Sequence, residues 1–574
     1  MRQGSFQIRA GKLEKEFARL LQRGTTAGIV PAIMNRRPDV FSKDKDLQQL
    51  IGNRLGWVDI ATAMKRRVAG IESFADEVLE DGLKHIVLMG MGGSSLCPEV
   101  FKFFFKKHAS LKSYDVLDST APESVKAIRR KVDLRQTLFI VASKSGGTVE
   151  TRSQEAYFIG QLQEDDIADF GRNFVAITDK GSALEKFARR YKYRKTFLNP
   201  SDIGGRYSAL SYFGLVPAYF AGVDLRVLID DAATMEALLR TREDETNPGL
   251  VLGAILAAGA KSGLDKLTFA ASPKTAALVP WIEQLIAEST GKKGKGIFPI
   301  ENEPLGAVDR YDRDRMFVSV RLASEEDPIQ KSLGRELKAA WVPVIDVTLG
   351  TKYELGRQFL LWEAATAAAG VFMGINPFDE PNVTESKENT KRILAGYGKI
   401  GSISNKTHED TWGPLTLVGA EGVTCYKDDE RTDLRLLLKR FFAGAKKSGY
   451  VSLLNYFRAD RHTEAALAKI RNLIRNKTRL ATTRGYGPRY LHSIGQLYKG
   501  GPPNGMFIIF VKSGYSAAQI PGQTFDFGQL IMAQAIGDSQ ALTKRNLPTL
   551  VISVDGNPAE GLEYFSKTLR AALT

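Results

Sequence analysis

Two short stretches of small polar residues carry the plainest chemistry in the chain. In the first, Gly90, Gly92 and Gly93 lead into Ser94 and Ser95; in the second, Ser143-Lys144-Ser145-Gly146-Gly147-Thr148 leads into Val149-Glu150-Thr151. Each sits where an apolar run ends and a helical pattern begins, so that backbone N–H groups, hydroxyls and the positive end of a helix converge. The natural guest of such a turn is a phosphate. The same residues also make an ordinary strand-to-helix connection, and SKSGGT reads as a helix cap with Thr148 at the N-cap. Downstream, Gly204 and Gly205 precede Arg206, a diglycine turn that aims a guanidinium along a helix start. Gln284 and Glu288 stand four apart on one helix and share a face near its carboxyl end. A glutamate there opposes the helix dipole, so its presence asks for a reason.

The elements that position these groups alternate between two periods. After residues 1–80, which read as helices, strands His85 to Met89, SYDVLDS, TLFIVAS, NFVAITD and KTFLN are separated by helical segments such as PESVKAIRRKV and SALEKFARRY. That alternation predicts a parallel sheet with helices on both faces, and both small-residue turns then fall at the carboxyl ends of strands, where open α/β sheets take ligands. A second α/β unit runs from about Val227, with strands KLTFAAS, RMFVSVRL and VPVIDVTL and the turn GKKGKG after Glu288. A third region starts near Gly396, with a hairpin predicted over PLTLVGAEGVTCYK, strands YVSLLNYF, MFIIFVK and TLVISV, and a long loop, TTRGYGPRYLHSIGQLYKGGPPNG. The expected organisation is a helical cover over 1–80, two parallel-sheet α/β sandwich domains over 81–226 and 227–395, and a C-terminal α/β region over 396–574.

Composition bounds the partners. A chain of 574 residues is too long for one core, and its 43% hydrophobic and 25% charged content is ordinary for a globular protein. The net charge of +15 is spread along the chain rather than gathered in a tail or stripe, which argues against nucleic acid and suits capture of anionic metabolites. No apolar run reaches the roughly 20 residues of a membrane span. Two cysteines, Cys97 and Cys425, build neither a disulfide framework nor a cysteine-based zinc site, and with no secretory pattern in the first residues the reading is cytoplasmic.

Taken in order, these motifs resemble the glucose-6-phosphate isomerases, which are built from paired sugar-isomerase (SIS) domains. GMGGSS is similar to the family's first phosphate motif, SKSGGTVET to its serine-lysine-threonine loop and GGRYSALS to its arginine segment. QLIAESTGKKGKGIFP resembles the catalytic-glutamate segment of compact bacterial members, and NPFDEPNVTESK their catalytic-lysine segment. The C-terminal wording, GYGPRYLHSIGQLYKGG and TFDFGQLIMAQAIGDSQAL, resembles the isomerase half of fused transaldolase–glucose-6-phosphate isomerases. Only 89 residues precede Gly90, too few for a (β/α)₈ barrel of about 250, so a stand-alone isomerase is expected.

The resemblance implies roles. Gly93, Ser94, Ser143, Lys144 (through its main chain), Ser145 and Thr148 would cradle the phosphate, and Gln284 would contact the sugar. Glu288 would be the base that moves a proton between C2 and C1, Arg206 would steady the enediolate, and Lys387 would assist ring opening. That division suits the chemistry: aldose–ketose isomerisation needs one carboxylate to remove and return a proton and a fixed cation beside the oxygen that becomes negative, with no metal or organic cofactor. Glu380 departs from the glutamine usual at its place and brings a second carboxylate toward the sugar. The family's histidine ordinarily falls between the glutamate and the lysine; here none does, and of the five histidines only His492, in LHSIGQ, matches the family's wording. Family members are usually homodimers whose histidine crosses the interface, whereas His492 belongs to the third region. Isomerisation of mannose-6-phosphate as well, or sugar-phosphate sensing without catalysis, are the other readings; a sensor needs the cradle but neither Glu288 nor Lys387.

Overall fold

The structure, a computed structural model, describes residues 5–241, 244–400, 410–418 and 433–574. His408, Cys425 and the second arm of the hairpin expected from Pro414 lie outside the described residues. The chain opens with a strand, β1 (Ser5–Arg9), that the all-helical reading of residues 1–80 does not contain. Five residues are too few for periodicity to register, and the strand exists because its partner lies some 340 residues away at the edge of the second sheet. The helices that follow include Glu14–Thr26, Ile60–Lys65 and Val68–Glu80, the last two dividing what reads as one helix.

The first sheet holds β2 (His85–Gly90), β3 (Ser113–Leu117), β4 (Thr137–Ala142), β5 (Phe174–Asp179) and β6 (Lys195–Asn199), in the order β3-β2-β4-β5-β6 and parallel throughout. Both faces of β2 are covered: Ile86 and Leu88 pack with the N-terminal helices and second unit, Val87 and Met89 with Phe139, Phe527 and Leu530. This is why the strand reads as an unbroken apolar run. The second sheet, among the described residues, contains β7 (Lys266–Ala271), β8 (Phe298–Ile300), β9 (Arg315–Leu322) and β10 (Val344–Leu349), ordered β1-β10-β9-β7-β8 with only β1 antiparallel. The three-residue β8 is absent from the sequence reading.

The third sheet contains β11 (Thr411–Trp412), β12 (Leu415–Leu417), β13 (Tyr450–Asn455), β14 (Ala481–Tyr486), β15 (Gly505–Lys512) and β16 (Thr549–Val554), ordered β11-β12-β16-β15-β13-β14. Residues 482–505 are therefore not a plain loop. They finish β14, whose Thr482 and Thr483 are buried beside β13, then form a 3₁₀ turn at Arg489–His492 and a short helix at Gly495–Gly500. The third region is joined to the others through its core: Ala287, Phe298 and Ile300 of the second unit pack with Tyr450, Leu454 and Phe507. That shared core fixes the turn bearing His492 against the helix bearing Glu288. Among the described residues no helix is long and apolar enough to cross a membrane.

Candidate active site

The two glycine turns end neighbouring strands, Gly90 pairing with Ala142, so they lie side by side at the carboxyl edge of the first sheet. Gly92 takes φ +58° as the N-cap of helix Gly93–Phe104. A Cβ on Gly92 would stand 2.7 Å from His492 O and 2.8 Å from Gln284 Nε2, and one on Gly93 would stand 1.9 Å from Gly205 O. Only glycine lets the histidine turn, the glutamate helix and the arginine turn close onto this one. In the second turn Ser143 Oγ and Thr148 Oγ1 share a hydrogen bond of 2.9 Å, Gly146 N–H donates to Ser143 Oγ at 3.1 Å, and Gly147 N–H to Ser145 Oγ at 3.3 Å. Thr148 is the N-cap of helix Val149–Glu164, but its hydroxyl makes no capping bond and turns to Ser143 instead, which corrects the capping reading. Lys144 points away, its Nζ pairing with Asp179 and donating to Ser201 O at 2.9 Å, so that its main chain alone faces the turn.

Arg206 is buried, and every part of its fork is engaged. Nε donates to Ser289 Oγ at 2.9 Å; Nη1 to Glu380 Oε2 at 3.0 Å and Glu288 Oε2 at 3.3 Å; Nη2 to Pro377 O at 2.8 Å and Asp379 O at 2.9 Å. Glu288 comes from helix Leu278–Thr290 and is 8% exposed. Burial pushes its carboxyl up to about 7, even though Arg206 beside it pulls the other way. That value is where a general base works best near neutral pH. Burial acts on Glu380 in the same sense, but Arg206 outweighs it and holds that carboxyl below its ordinary range. The two carboxylates on one guanidinium thus differ: Glu380 is held ionised as a counter-ion, while burial raises Glu288.

His492 meets this group through Gln284, whose Nε2 donates to His492 O at 2.8 Å and reaches Glu288 Oε2 at 3.4 Å. The imidazole Nε2 lies 3.2 Å from Glu150 Oε1, which also accepts from Gln534 Nε2 at 2.8 Å, and Gln534 in turn accepts from Thr120 Oγ1 at 2.7 Å. Glu150 is buried, which would raise its pKa, yet the bond and charge of His492, with Lys387 adding, hold it low. An ionised Glu150 only accepts, so Nε2 keeps its proton toward Glu150 and Nδ1 is the nitrogen that exchanges a proton with a ligand. Lys387, on helix Thr384–Ile400, is exposed and acts on Glu150 rather than on Glu288. Glu150 and Lys292 are the two site residues that the sequence reading did not select. The first looks like an ordinary first-turn glutamate, and the second like one lysine among several in GKKGKG.

Parallel α/β sheets are edged here by a hydroxyl-and-amide cradle, with a carboxylate, a guanidinium and an imidazole gathered beside it. Residues 62–297 match the family model for phosphoglucose isomerase. A glucose-6-phosphate isomerase of Thermus thermophilus is 29% identical over 398 residues, 60% of this chain and 91% of that protein. One from Campylobacter jejuni is 28% identical over 355 residues, 54% of this chain and 86% of that protein. Among solved structures, a hypothetical protein of Thermus thermophilus matches with a TM-score of 0.57 at 25% identity, covering 68% of this chain and 100% of that one.

Proposed function

We propose that the protein interconverts glucose-6-phosphate and fructose-6-phosphate through an enediol. The observation that carries this is Glu288, with its carboxyl raised to about 7, held on the buried Arg206 next to the two glycine turns. The phosphate is held by the hydroxyls and amides of Ser94, Ser143, Ser145 and Thr148 and the main chain of Gly93 and Lys144. His492, as imidazolium, passes its Nδ1 proton to the ring oxygen, with Lys387 on the same side; the C1–O5 bond breaks and the C1 hydroxyl gives its proton to water, leaving the open-chain aldehyde. Glu288 then takes the proton from C2, the electron pair moves to the carbonyl oxygen, and Arg206 steadies the resulting enediolate. The O2 proton passes to O1, and as Glu288 returns its proton to C1 the C2–O bond becomes the carbonyl of the ketose. Gln284 ties the two halves of the site together and contacts the sugar, and Glu380 keeps Arg206 from collapsing fully onto Glu288.

One chain brings every group in this scheme together, which supports His492 acting from its own chain, whether as a monomer or within a homodimer. The three sheets support a division into a cover over 1–80 and units over 81–226, 227–395 and 396–574, with β1 of the cover joining the second sheet, and a cytoplasmic protein without nucleic-acid or membrane partners suits this substrate. The test is a coupled assay of fructose-6-phosphate conversion to glucose-6-phosphate with no metal added. A folded protein that converts none would end the proposal.

A further inference from the structure

Lys292 follows the Glu288 helix and is 4% exposed. Its Nζ donates to Asn376 O at 2.7 Å and pairs with Asp379 Oδ1 at 2.7 Å. Arg206 grips the same turn through Pro377 O and Asp379 O, and Glu380 at the end of the turn reaches back to Arg206 Nη1. Phe378 N–H closes the turn on Asn376 Oδ1 at 3.0 Å. Next to the turn lies a cavity of about 410 Å³ lined in part by Ser42, Lys292, Asn376 and Asp379. Packing therefore leaves the turn room to move on that side, and the lysine holds it.

We propose, resting on the isomerase reading, that Lys292 is a positioning residue: by clamping the Asn376–Glu380 turn it fixes the guanidinium plane of Arg206 beside Glu288. The turn's carbonyls engage Nη2, which leaves Nε and Nη1 facing Ser289, Glu288 and the reacting oxygen. A turn that swings into the cavity takes those carbonyls with it, and the fork rotates out of line with the base. The charged groups around Lys292 are Arg206, Asp379 and Glu380, with Glu288 beyond. Burial, then repulsion from Arg206, brings the ammonium down to about 8, against the pull of Asp379 and Glu380. The clamp thus weakens as pH rises through about 8, and the positive charge that helps Glu288 ionise is lost with it.

The experiment compares wild type, Lys292→Met and Lys292→Arg in the full chain, by kinetics across pH and by ¹³C titration of Glu288, its signal assigned from Glu288→Gln. Lys292→Met is expected to lower kcat by on the order of 10²-fold, the usual cost of a misplaced group, with KM within a few-fold because the phosphate cradle is elsewhere. It should also remove the alkaline fall in activity and move the Glu288 titration upward. Lys292→Arg should keep kcat within a few-fold and push the alkaline fall out of range. Wild-type kcat and an unchanged alkaline limb in Lys292→Met would overturn the inference. So would equal loss in both variants with Glu288 unmoved, since that is packing alone. If the wild type shows no isomerase activity, the functional proposal fails on its own, and the titration still decides: a shift in the Met variant but not the Arg variant supports the clamp, and no shift rejects it.

Discussion

Replacing Glu150 by Gln isolates one charge in the ring-opening half of the site. Oε1 accepts from both His492 Nε2 at 3.2 Å and Gln534 Nε2 at 2.8 Å, and a glutamine carbonyl in that place accepts both bonds equally well. The imidazole keeps its tautomer and direction, and only the negative charge that favours a protonated ring is removed. A hydrogen bond to a charged group is worth about 1.5–3 kcal/mol against about 0.5–1.5 kcal/mol for a neutral one, so the difference of about 1–1.5 kcal/mol should slow ring opening by about 5- to 12-fold. Glu150 is remote from the carbon chemistry, so proton transfer by Glu288 should change only a few-fold. The assay sets conversion of the cyclic sugar phosphate against C–H exchange in 5-deoxyfructose-6-phosphate, which cannot close a ring. Equal loss on both substrates, or no loss on the cyclic one, would refute the assignment of Glu150 and His492 to ring opening.

Three further outcomes are expected. The base must be ionised to act, so kcat/KM should rise with pH through about 7 as Glu288 loses its proton; a profile flat between pH 6 and 8 contradicts this. Inorganic phosphate should compete with substrate, EDTA should leave activity unchanged, and Ser143→Ala should raise KM by about 2- to 12-fold, the value of one hydrogen bond; chelation that stops the reaction would reject a metal-free cradle. Glu363 is 1% exposed with neither carboxyl oxygen partnered among the described residues, and burial pushes its pKa well up. Such a carboxyl stabilises the fold below its unfolded pKa and loses that contribution as pH climbs through the folded one. Glu363→Leu should therefore gain about 1–3 kcal/mol over wild type at pH 9 and less at pH 5, in denaturant titrations at the two pH values.

What the sequence makes legible follows from what local residues decide. Strands β2 and β4 announce themselves because burial on both faces demands continuous apolar residues, the turn after β2 because glycine is needed for the approach of His492 and Gly205, and the turn after β4 because Gly146 takes φ +70° against Leu184. Strand β14 reads as loop because Arg484 and Gly485 interrupt its pattern, and β8 is too short to have one. Both exist through pairing with β13 and β7. The same distinction governs the site. Glu288 is visible because a glutamate near a helix carboxyl end opposes the dipole, whereas Glu150 sits where acids are ordinary and acquires its meaning only from a histidine 342 residues away. Lys292 is hidden in the same way, since nothing in a glycine-lysine turn says which lysine is turned inward.

The central claim is that Glu288 moves the proton, and it is tested most directly by running fructose-6-phosphate through wild type and Glu288→Gln under identical conditions, with circular dichroism confirming the fold of both. A lost general base costs about 10²-fold or more, so turnover of the variant should fall by at least that factor with KM within a few-fold. A folded Glu288→Gln protein that turns over at close to the wild-type rate would contradict the account.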